Sequence, residues 1–487
     1  MFIVLQIAQV LPSSKVDSCY LLFVQSLFSM EGGGLLLSPL NILYLFAMNE
    51  VLSKYVHLFQ ADGSFYLYNS QNSFFSEISQ NLFTSLIDRN FSELSRDTYD
   101  FLKKRSVLMD SSQRDNYYLN MKFRYYAGSF STDELSLVLV PTTGCNFVCP
   151  YCFEKGKKHS IMSDETIDKI ISFINSHKKA KRLNVTWYGG EPLMGLRAIK
   201  KIYSKLSHEI SIPLSRQEII TNGYLLSRDV ILFFKDVGIN FIQITLDGIK
   251  ENHNKTRMLS SGRKQTYDVI IANIESIFDL HPECSVSVRV NINKANVNDF
   301  STLYWQLNEK WNNKNVYIYP GFIREDTKDG LSLCSRCIVP NEHIEYYLSL
   351  KEQGVNVDLF PRHCISRGCI INTLNSYIIG PDGEIYKCWN DVSNKDKIIG
   401  NIGDDRLIDE GLLFKYACDC SPFEDKRCKD CFVFPICQGG CGWYRFRNKY
   451  ENGNFDICSI YKDKNKLEKS LLLSLNKANS NLPVLRP

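Results

Sequence analysis

The sequence predicts an α/β fold. Its centre is an open, partial barrel of six βα units, with an α+β module before it and a small cysteine-rich region after it. Three observations carry this. Apolar runs alternate regularly with helical patterns between residues 136 and 320, which specifies a parallel sheet with crossover helices. Six such units fall short of the eight that close a barrel. From Cys364 onward long periodic helices give way to turns, short strand pieces and closely spaced cysteines.

Before the barrel, residues 1–62 are apolar and irregular, with a Gly32-Gly33-Gly34 run. Ser64–Asn69 reads as a strand, Phe75–Leu86 as a helix, and Ser95–Lys104 as a second helix with Ser95 as N-cap. Residues 110–117 are polar and read as a linker, so an N-terminal module is expected over 1–117.

The barrel opens with the continuous apolar run Leu137–Val140, as in a buried parallel strand. A helix follows from Ser163, with Asp164 and Glu165 where the helix dipole favours acids. Strands are then expected at Leu183–Trp187, Glu218–Thr221, Phe241–Leu246, Ser285–Asn291 and Val316–Tyr319. Helices at Arg197–Ile210, Asp229–Val237, Thr266–Phe278 and Asp299–Glu309 separate them. These units define a core at 136–325. A connector with a helix at Asn341–Gln353 fills 326–363. The cysteine-rich region spans 364–462 with strand pieces Tyr377–Ile379 and Glu384–Lys387, and a closing helix at Asp463–Leu473 lies in the final segment 463–487. A region so poor in apolar periodicity needs metal staples.

Composition narrows the function. In 487 residues, 57 Lys+Arg stand against 53 Asp+Glu, and a net charge of +4 is too balanced for a nucleic-acid-coating protein. The longest apolar stretch, Leu35–Met48, is broken by Pro39 and Asn41 and falls short of the ~20 residues that span a bilayer. No nucleic acid and no membrane partner is expected. Met1–Val10 lacks the basic start and cleavage site of an export signal, so a cytoplasmic chain with reduced thiols is expected. In such a chain 17 cysteines point to metal or catalysis.

Three cysteines follow the first barrel strand, Cys145-x3-Cys149-x2-Cys152. Three thiolates on one loop can hold three irons of a 4Fe–4S cluster and leave the fourth open to a ligand. Zinc would need a fourth side chain, for which His159 is available. The segment resembles the radical S-adenosylmethionine (radical SAM) enzymes, in which the amine and carboxylate of SAM chelate the open iron and the sulfonium is split to a 5′-deoxyadenosyl radical. The aromatic that this family carries before the third cysteine is Tyr151. Along the barrel Gly189-Gly190-Glu191-Pro192 resembles the motif that holds the SAM amine, with Glu191 as acceptor and the glycines allowing close backbone approach to a ligand. Thr221-Asn222-Gly223 and Thr245-Leu246-Asp247-Gly248 close the third and fourth strands, and His253, Arg257 and Gly262 fall at the family's offsets. The resemblance implies Thr245 near the SAM carboxylate, with Arg257 and Asn291 as carboxylate or ribose partners.

Further on, Cys364-x4-Cys369-x18-Cys388 precedes Cys428-x2-Cys431-x5-Cys437-x3-Cys441-x16-Cys458. This string resembles the SPASM domain of radical SAM enzymes that modify peptides and proteins. The resemblance implies two auxiliary 4Fe–4S clusters, one on Cys364, Cys369, Cys388 and Cys441, the other on Cys428, Cys431, Cys437 and Cys458. With the SAM-binding cluster the cofactors are then SAM and three 4Fe–4S clusters. Cys19, Cys284, Cys334, Cys337, Cys418 and Cys420 are left over, and a bystander role is expected for the 334/337 and 418/420 pairs.

The resemblance implies a maturase of a ribosomally made precursor peptide, abstracting hydrogen and installing a thioether or other crosslink. Its electrons would come from an external donor of flavodoxin or ferredoxin type. The N-terminal module would recognise a leader peptide at a strand edge. An anaerobic sulfatase maturase, which makes formylglycine, is the enzyme alternative. That family places Asp directly after the cysteine matching Cys388. Here Trp389 stands there, leaving Asp391 as the candidate base in the same loop. A non-catalytic Fe–S electron carrier or binding protein is the third reading.

Overall fold

In the computed structural model, residues 50–152, 159–324, 337–338, 340–364, 368–404 and 409–475 are described. The expectations for residues 1–49, including Cys19, for Cys334 and for the tail after Leu475 lie outside these. The chain separates into a unit at 1–50 and a unit at 51–487, and all the elements below belong to the second.

The N-terminal elements include three antiparallel strands, β1 (Val56–Ala61), β2 (Ser64–Asn69) and β3 (Phe74–Ile78), in that spatial order. The helix expected at Phe75–Leu86 therefore starts later. Phe75, Ser76 and Ile78 are buried along the strand, which pairs with β2. Ser79 then caps α1 (Gln80–Ile87) by accepting from Leu82 N. Ser95 caps α2 (Arg96–Lys104) as expected. The polar stretch read as a linker instead runs into α3 (Asn116–Ser129). The sequence hid this helix because tyrosines replace an aliphatic stripe: Tyr118 and Tyr125 are buried against Phe423 and Phe434 of the cysteine-rich region.

The main sheet has nine strands. The six expected ones are β4 (Glu134–Leu139), β5 (Arg182–Trp187), β6 (Leu214–Thr221), β7 (Phe241–Leu246), β8 (Ser285–Ile292) and β9 (Val316–Phe322). Each pairs in parallel with the next in sequence, and the row does not close. Between them run α4 (Asp164–Ser176), α5 (Leu196–Glu209), α6 (Arg228–Val237), α7 (Lys250–Thr256), α8 (Tyr267–Leu280) and α9 (Asp299–Lys310). Ser163 caps α4 by accepting from Thr166 N, a bond that contributes about 1 kcal/mol.

Side chains alternate across each strand. Val185, Trp187, Ile242, Ile244, Val288 and Val290 are buried in one core with Ile170, Ile199, Ile231 and Ile274 of the helices. Asn184, Thr186, Glu218, Gln243, Thr245, Arg289 and Asn291 occupy the alternate positions and line cavities on the other face. The continuous apolar run of β4 has a separate cause. Leu137 and Leu139 join the helix-side core, while Val138 and Val140 pack on Ile378, Tyr386 and Val392.

Those last residues belong to the cysteine-rich region, which extends the sheet. After α10 (Pro340–Glu352), strand β10 (Ser376–Ile379) pairs in parallel with β4. Strands β11 (Glu384–Tyr386) and β12 (Gly400–Asn401) then add antiparallel. The remaining helices are short until α11 (Gly442–Tyr450) and the closing α12 (Lys464–Leu475). In α12, Leu467 and Leu471 pack on Phe59, Tyr66 and Tyr68 of the N-terminal sheet.

Candidate functional site

The three-cysteine loop leaves the C-terminal end of β4 and is held at both edges. Thr142 bridges to Ile161, and Phe147 bridges to Leu259. Within it Thr142 Oγ1 accepts from Gly144 N at 3.0 Å, and Cys145 Sγ accepts from Phe147 N at 3.4 Å. Asn146 Oδ1 accepts from Asn222 Nδ2 at 2.7 Å, tying the loop to the end of β6.

Gly189 and Gly190 press against the same loop. Gly190 N donates to Thr142 O at 3.3 Å and Glu191 N to Gly144 O at 2.8 Å. A Cβ on Gly190 would lie 2.4 Å from Gly144 O, and one on Gly189, whose φ is +141°, 2.3 Å from Thr142 O. The close approach that calls for glycine is thus between the two loops of the chain itself. Glu191 is fully buried. Its carboxylate accepts from Leu193 N at 3.0 Å, Thr221 Oγ1 at 2.7 Å and Asn222 N at 2.7 Å. Burial raises its pKa, and these three donors oppose the rise.

Tyr151 heads a second buried group. Its hydroxyl donates to Asp247, 2.7 Å from Oδ1 and 2.5 Å from Oδ2, and accepts from Arg257 Nη1 at 3.2 Å and Asn291 Nδ2 at 3.4 Å. Thr256 Oγ1 donates to Asp247 Oδ2 at 2.7 Å, and Arg257 stands 3.6 Å from Oδ1. Burial raises the Asp247 carboxyl pKa against the pull of Arg257. Behind it His253 is buried, and burial followed by the Arg257 charge keeps its pKa well below the ordinary value. Sequence reasoning gave Asp247 no role of its own. The signal was its place directly after β7, where parallel sheets put their chemistry.

A cavity of about 370 Å³ gathers most of the expected residues. Cys145, Cys149, Cys152, Tyr151, Gly189, Gly190, Thr245, Arg257 and Asn291 all line it. Glu191 and Asp391 are not among its described lining residues. Asp391 is buried, accepting from Tyr416 Oη at 2.7 Å and Trp443 Nε1 at 2.9 Å, and burial raises its pKa. Its neighbour Asn390 lines the cavity instead. Trp389 packs edge-on against Tyr188, with centroids 4.6 Å apart.

The donor set fits an iron–sulfur group and an anionic ligand. Burial pushes the Cys145 thiol up to about 12 and raises Cys149, so these thiols become ligands only when a metal displaces their protons. Arg257 Nε and Asn146 Nδ2 are buried donors with no hydrogen-bond partner among the described residues. Among the described residues no three Cys, His, Asp or Glu side chains converge as they would on one ion. A cubane holds its ligands farther apart than a single ion does.

In the cysteine-rich region Cys428, Cys431, Cys437 and Cys458 line one small cavity. Arg445 is buried beside it, donating to Cys428 Sγ at 3.3 Å, Asp425 Oδ2 at 2.8 Å and Gly439 O. The pKa of Cys388 is raised well above the thiol range by burial, then by Asp391, with Cys441 and Cys369 adding to the rise. Cys364 and Cys369 line a neighbouring cavity of about 280 Å³, where Cys420 and Cys437 also appear. Cys418 is exposed and Cys337 buried. Sequence reasoning missed Lys387, which is fully buried and donates from Nζ to Thr373 O and Ser376 O, both at 2.5 Å. Burial lowers its pKa to about 7.

Among the described residues no helix is long and apolar enough to cross a membrane. Comparison with known proteins matches residues 139–304 to the radical SAM superfamily. The cysteine-type anaerobic sulfatase-maturating enzyme of Clostridium novyi is 25% identical over 372 residues, covering 68% of this chain and 94% of that protein. The Fe-coproporphyrin III synthase of Methanosarcina barkeri is 26% identical over 182 residues, and the chain spans only 43% of its length. Among solved structures, native anSMEcpe with bound AdoMet and Cp18Cys peptide superposes with a TM-score of 0.54 at 18% identity, covering 71% of this chain and 97% of that one. That likeness speaks for the fold. A radical SAM family implies SAM and a 4Fe–4S cluster as cofactors. The order of the strands, the cysteine loop at the end of the first and the family match together identify a radical SAM domain at residues 139–304 of this chain.

Proposed function

We propose that the chain is a maturase of a ribosomally made peptide, installing an oxidative modification such as a thioether or another crosslink. The observation that carries this is the single cavity in which Cys145, Cys149 and Cys152 meet Gly189, Gly190, Thr245, Arg257 and Asn291. The three cysteines would hold the SAM-binding cluster. When bound, that pair supplies a 5′-deoxyadenosyl radical able to abstract hydrogen. Tyr151, clamped by Asp247 and Arg257, fixes the third cysteine's side of the loop. Arg257, through its unpartnered Nε, and Asn291 offer donors to a carboxylate or ribose. Glu191 ties the segment after β5 to the end of β6 through Thr221 and Asn222.

Two auxiliary clusters would sit on Cys364, Cys369, Cys388 and Cys441 and on Cys428, Cys431, Cys437 and Cys458. The shared cavity of the second set supports its grouping. Electrons would enter from a flavodoxin- or ferredoxin-type donor. The three-stranded N-terminal sheet, whose outer strands β1 and β3 each have a neighbour on one side only, suits an added leader strand. Loss of precursor binding on deleting residues 1–110, with SAM cleavage retained, is the expected result.

The sulfatase-maturase reading is supported by the Clostridium novyi relative and, at 31% identity over 138 residues, by the serine-type enzyme of Bacteroides thetaiotaomicron. It needs a carboxylate base after the cysteine, and Asp391 is committed to Tyr416 and Trp443 outside the described cavity lining. That favours crosslink formation.

Anaerobic reconstitution tests the proposal. About twelve irons per chain are expected for three cubanes. Dithionite plus SAM should yield 5′-deoxyadenosine. A co-expressed candidate precursor should lose two hydrogens per crosslink, read by mass spectrometry. An aldehyde product would move the assignment to the sulfatase class, and iron without SAM cleavage would defeat both.

A further inference from the structure

Three guanidinium groups line the cavity above the cysteine loop, those of Arg257, Arg289 and Arg324. Among its described lining residues there is no Asp or Glu. Thr221, Asn222, Gln243, Thr245, Asn291 and Asn390 add neutral polar groups, beside the hydroxyls of Tyr151 and Tyr188 and the three thiols of the loop. A concave site focuses the field of the charges that line it on whatever enters.

The three arginines are not equivalent. Arg257 is buried and engaged with Asp247 at 3.6 Å and with the Tyr151 hydroxyl. The other two rest on neutral partners. Arg289 donates from Nε to Asn291 Oδ1 at 3.0 Å and lies across Gly321, where a Cβ would stand 2.5 Å from Nε. Arg324 donates from Nη1 to Tyr444 Oη at 2.7 Å and stacks on that ring at 5.3 Å. Among the described residues neither forms an ion pair, and both line the cavity. On the proposed reading, Arg257, whose buried Nε has no hydrogen-bond partner among the described residues, is the donor left for the carboxylate of SAM.

We infer that the substrate presents a carboxylate to Arg289 and Arg324 while its reacting residue faces the cysteine loop. This rests on the proposed peptide-modifying reading and adds a substrate class to it: an acidic side chain, or a chain terminus, beside the modified residue. Guanidinium and carboxylate match in planar, two-point hydrogen bonding.

The test uses the full chain with its clusters loaded and SAM present. Three probes are titrated and followed by NMR: acetyl-Gly-Asp-Gly-Gly-amide, acetyl-Gly-Asn-Gly-Gly-amide, and acetyl-Gly-Asn-Gly-Gly with a free C-terminus. A carboxylate probe should bind about tenfold tighter than the neutral one, with the advantage shrinking as salt rises. Whether the Asp or the free-terminus probe gains identifies the source. In R289Q and R324Q the preference should fall to about twofold or less while SAM binding, read by equilibrium dialysis, persists. Gly321→Ala should weaken the preference by displacing the Arg289 guanidinium with its charge intact, which guards against a folding defect in R289Q. Equal binding of all three probes overturns the inference. So does a preference that survives both arginine variants, or loss of SAM from R289Q. If wild-type enzyme prefers the carboxylate but releases no 5′-deoxyadenosine, the anion site stands and the parent reading falls.

Discussion

The barrel and the cysteine-rich region share one sheet yet are built on different principles. From β5 to β9 order comes from period: one face of each strand enters an aliphatic core with the flanking helices. The cysteine-rich region has helices as short as Lys426–Lys429 and Phe434–Cys437, and it buries Lys387, Asp391 and Arg445 among its thiols. Each of those charges has specific partners: two carbonyls for Lys387, a phenol and an indole for Asp391, a carboxylate, a carbonyl and a sulfur for Arg445. Buried polar groups so placed are costly to disturb and contribute little unless every partner is present. One region therefore stands on apolar area, and the other depends on individual bonds.

The sharpest way to break this contrast is to remove the iron of the proposed auxiliary clusters. Chelating iron anaerobically should raise amide exchange across 426–458 by about 100-fold or more while β5–β8 keep their protection. Uniform loosening of both regions, read by hydrogen–deuterium exchange, would erase the distinction. Next in size is Gly190→Ala. Its Cβ would meet Gly144 O at 2.4 Å, and backbone cannot step aside cheaply, so a loss of about 3 kcal/mol or more in stability is expected, with failure to hold the SAM-binding cluster. Iron content and denaturant midpoints would check it.

Asp391→Asn should cost about 1–2 kcal/mol by weakening one of two buried hydrogen bonds. It should leave turnover in place, and abolished turnover with a normal melting curve would restore Asp391 as a base. The smallest effect is at His57, whose Nε2 lies 2.8 Å from Glu468 Oε1, between the N-terminal sheet and α12. Burial lowers its pKa, with Glu468 opposing. Below about pH 6.5 the unfolded chain binds this proton before the folded one does. The contribution is therefore whole above that pH and is lost as pH falls toward the folded value. His57→Gln should flatten the melting temperature between about pH 5.5 and 7.5 by a few degrees.

The same contrast explains what could be read from the sequence. Phe241–Leu246 was legible to the residue, and the Ser95 cap likewise, because period and capping chemistry are local. The cysteine trio was legible from spacing, since the loop sits where a parallel strand ends. Asp247 was not, because its importance lies in meeting Tyr151 and Arg257 across three separate segments. Lys387 looked like an ordinary surface charge in a strand piece, and only the fold brings the carbonyls of Thr373 and Ser376 to it. The pairing of β10 with β4 joins residues 240 positions apart, and nothing in the tetrapeptide Ser376–Ile379 names its partner.

That pairing has a mechanical consequence. The trio hangs from one end of β4, and the loop of Cys388 hangs from the hairpin fastened to the flank of the same strand. Along this route runs a ladder of backbone hydrogen bonds backed by Val138, Val140, Ile378 and Tyr386. The spacing between the two sulfur-rich loops is therefore set by paired strands rather than by the loops alone.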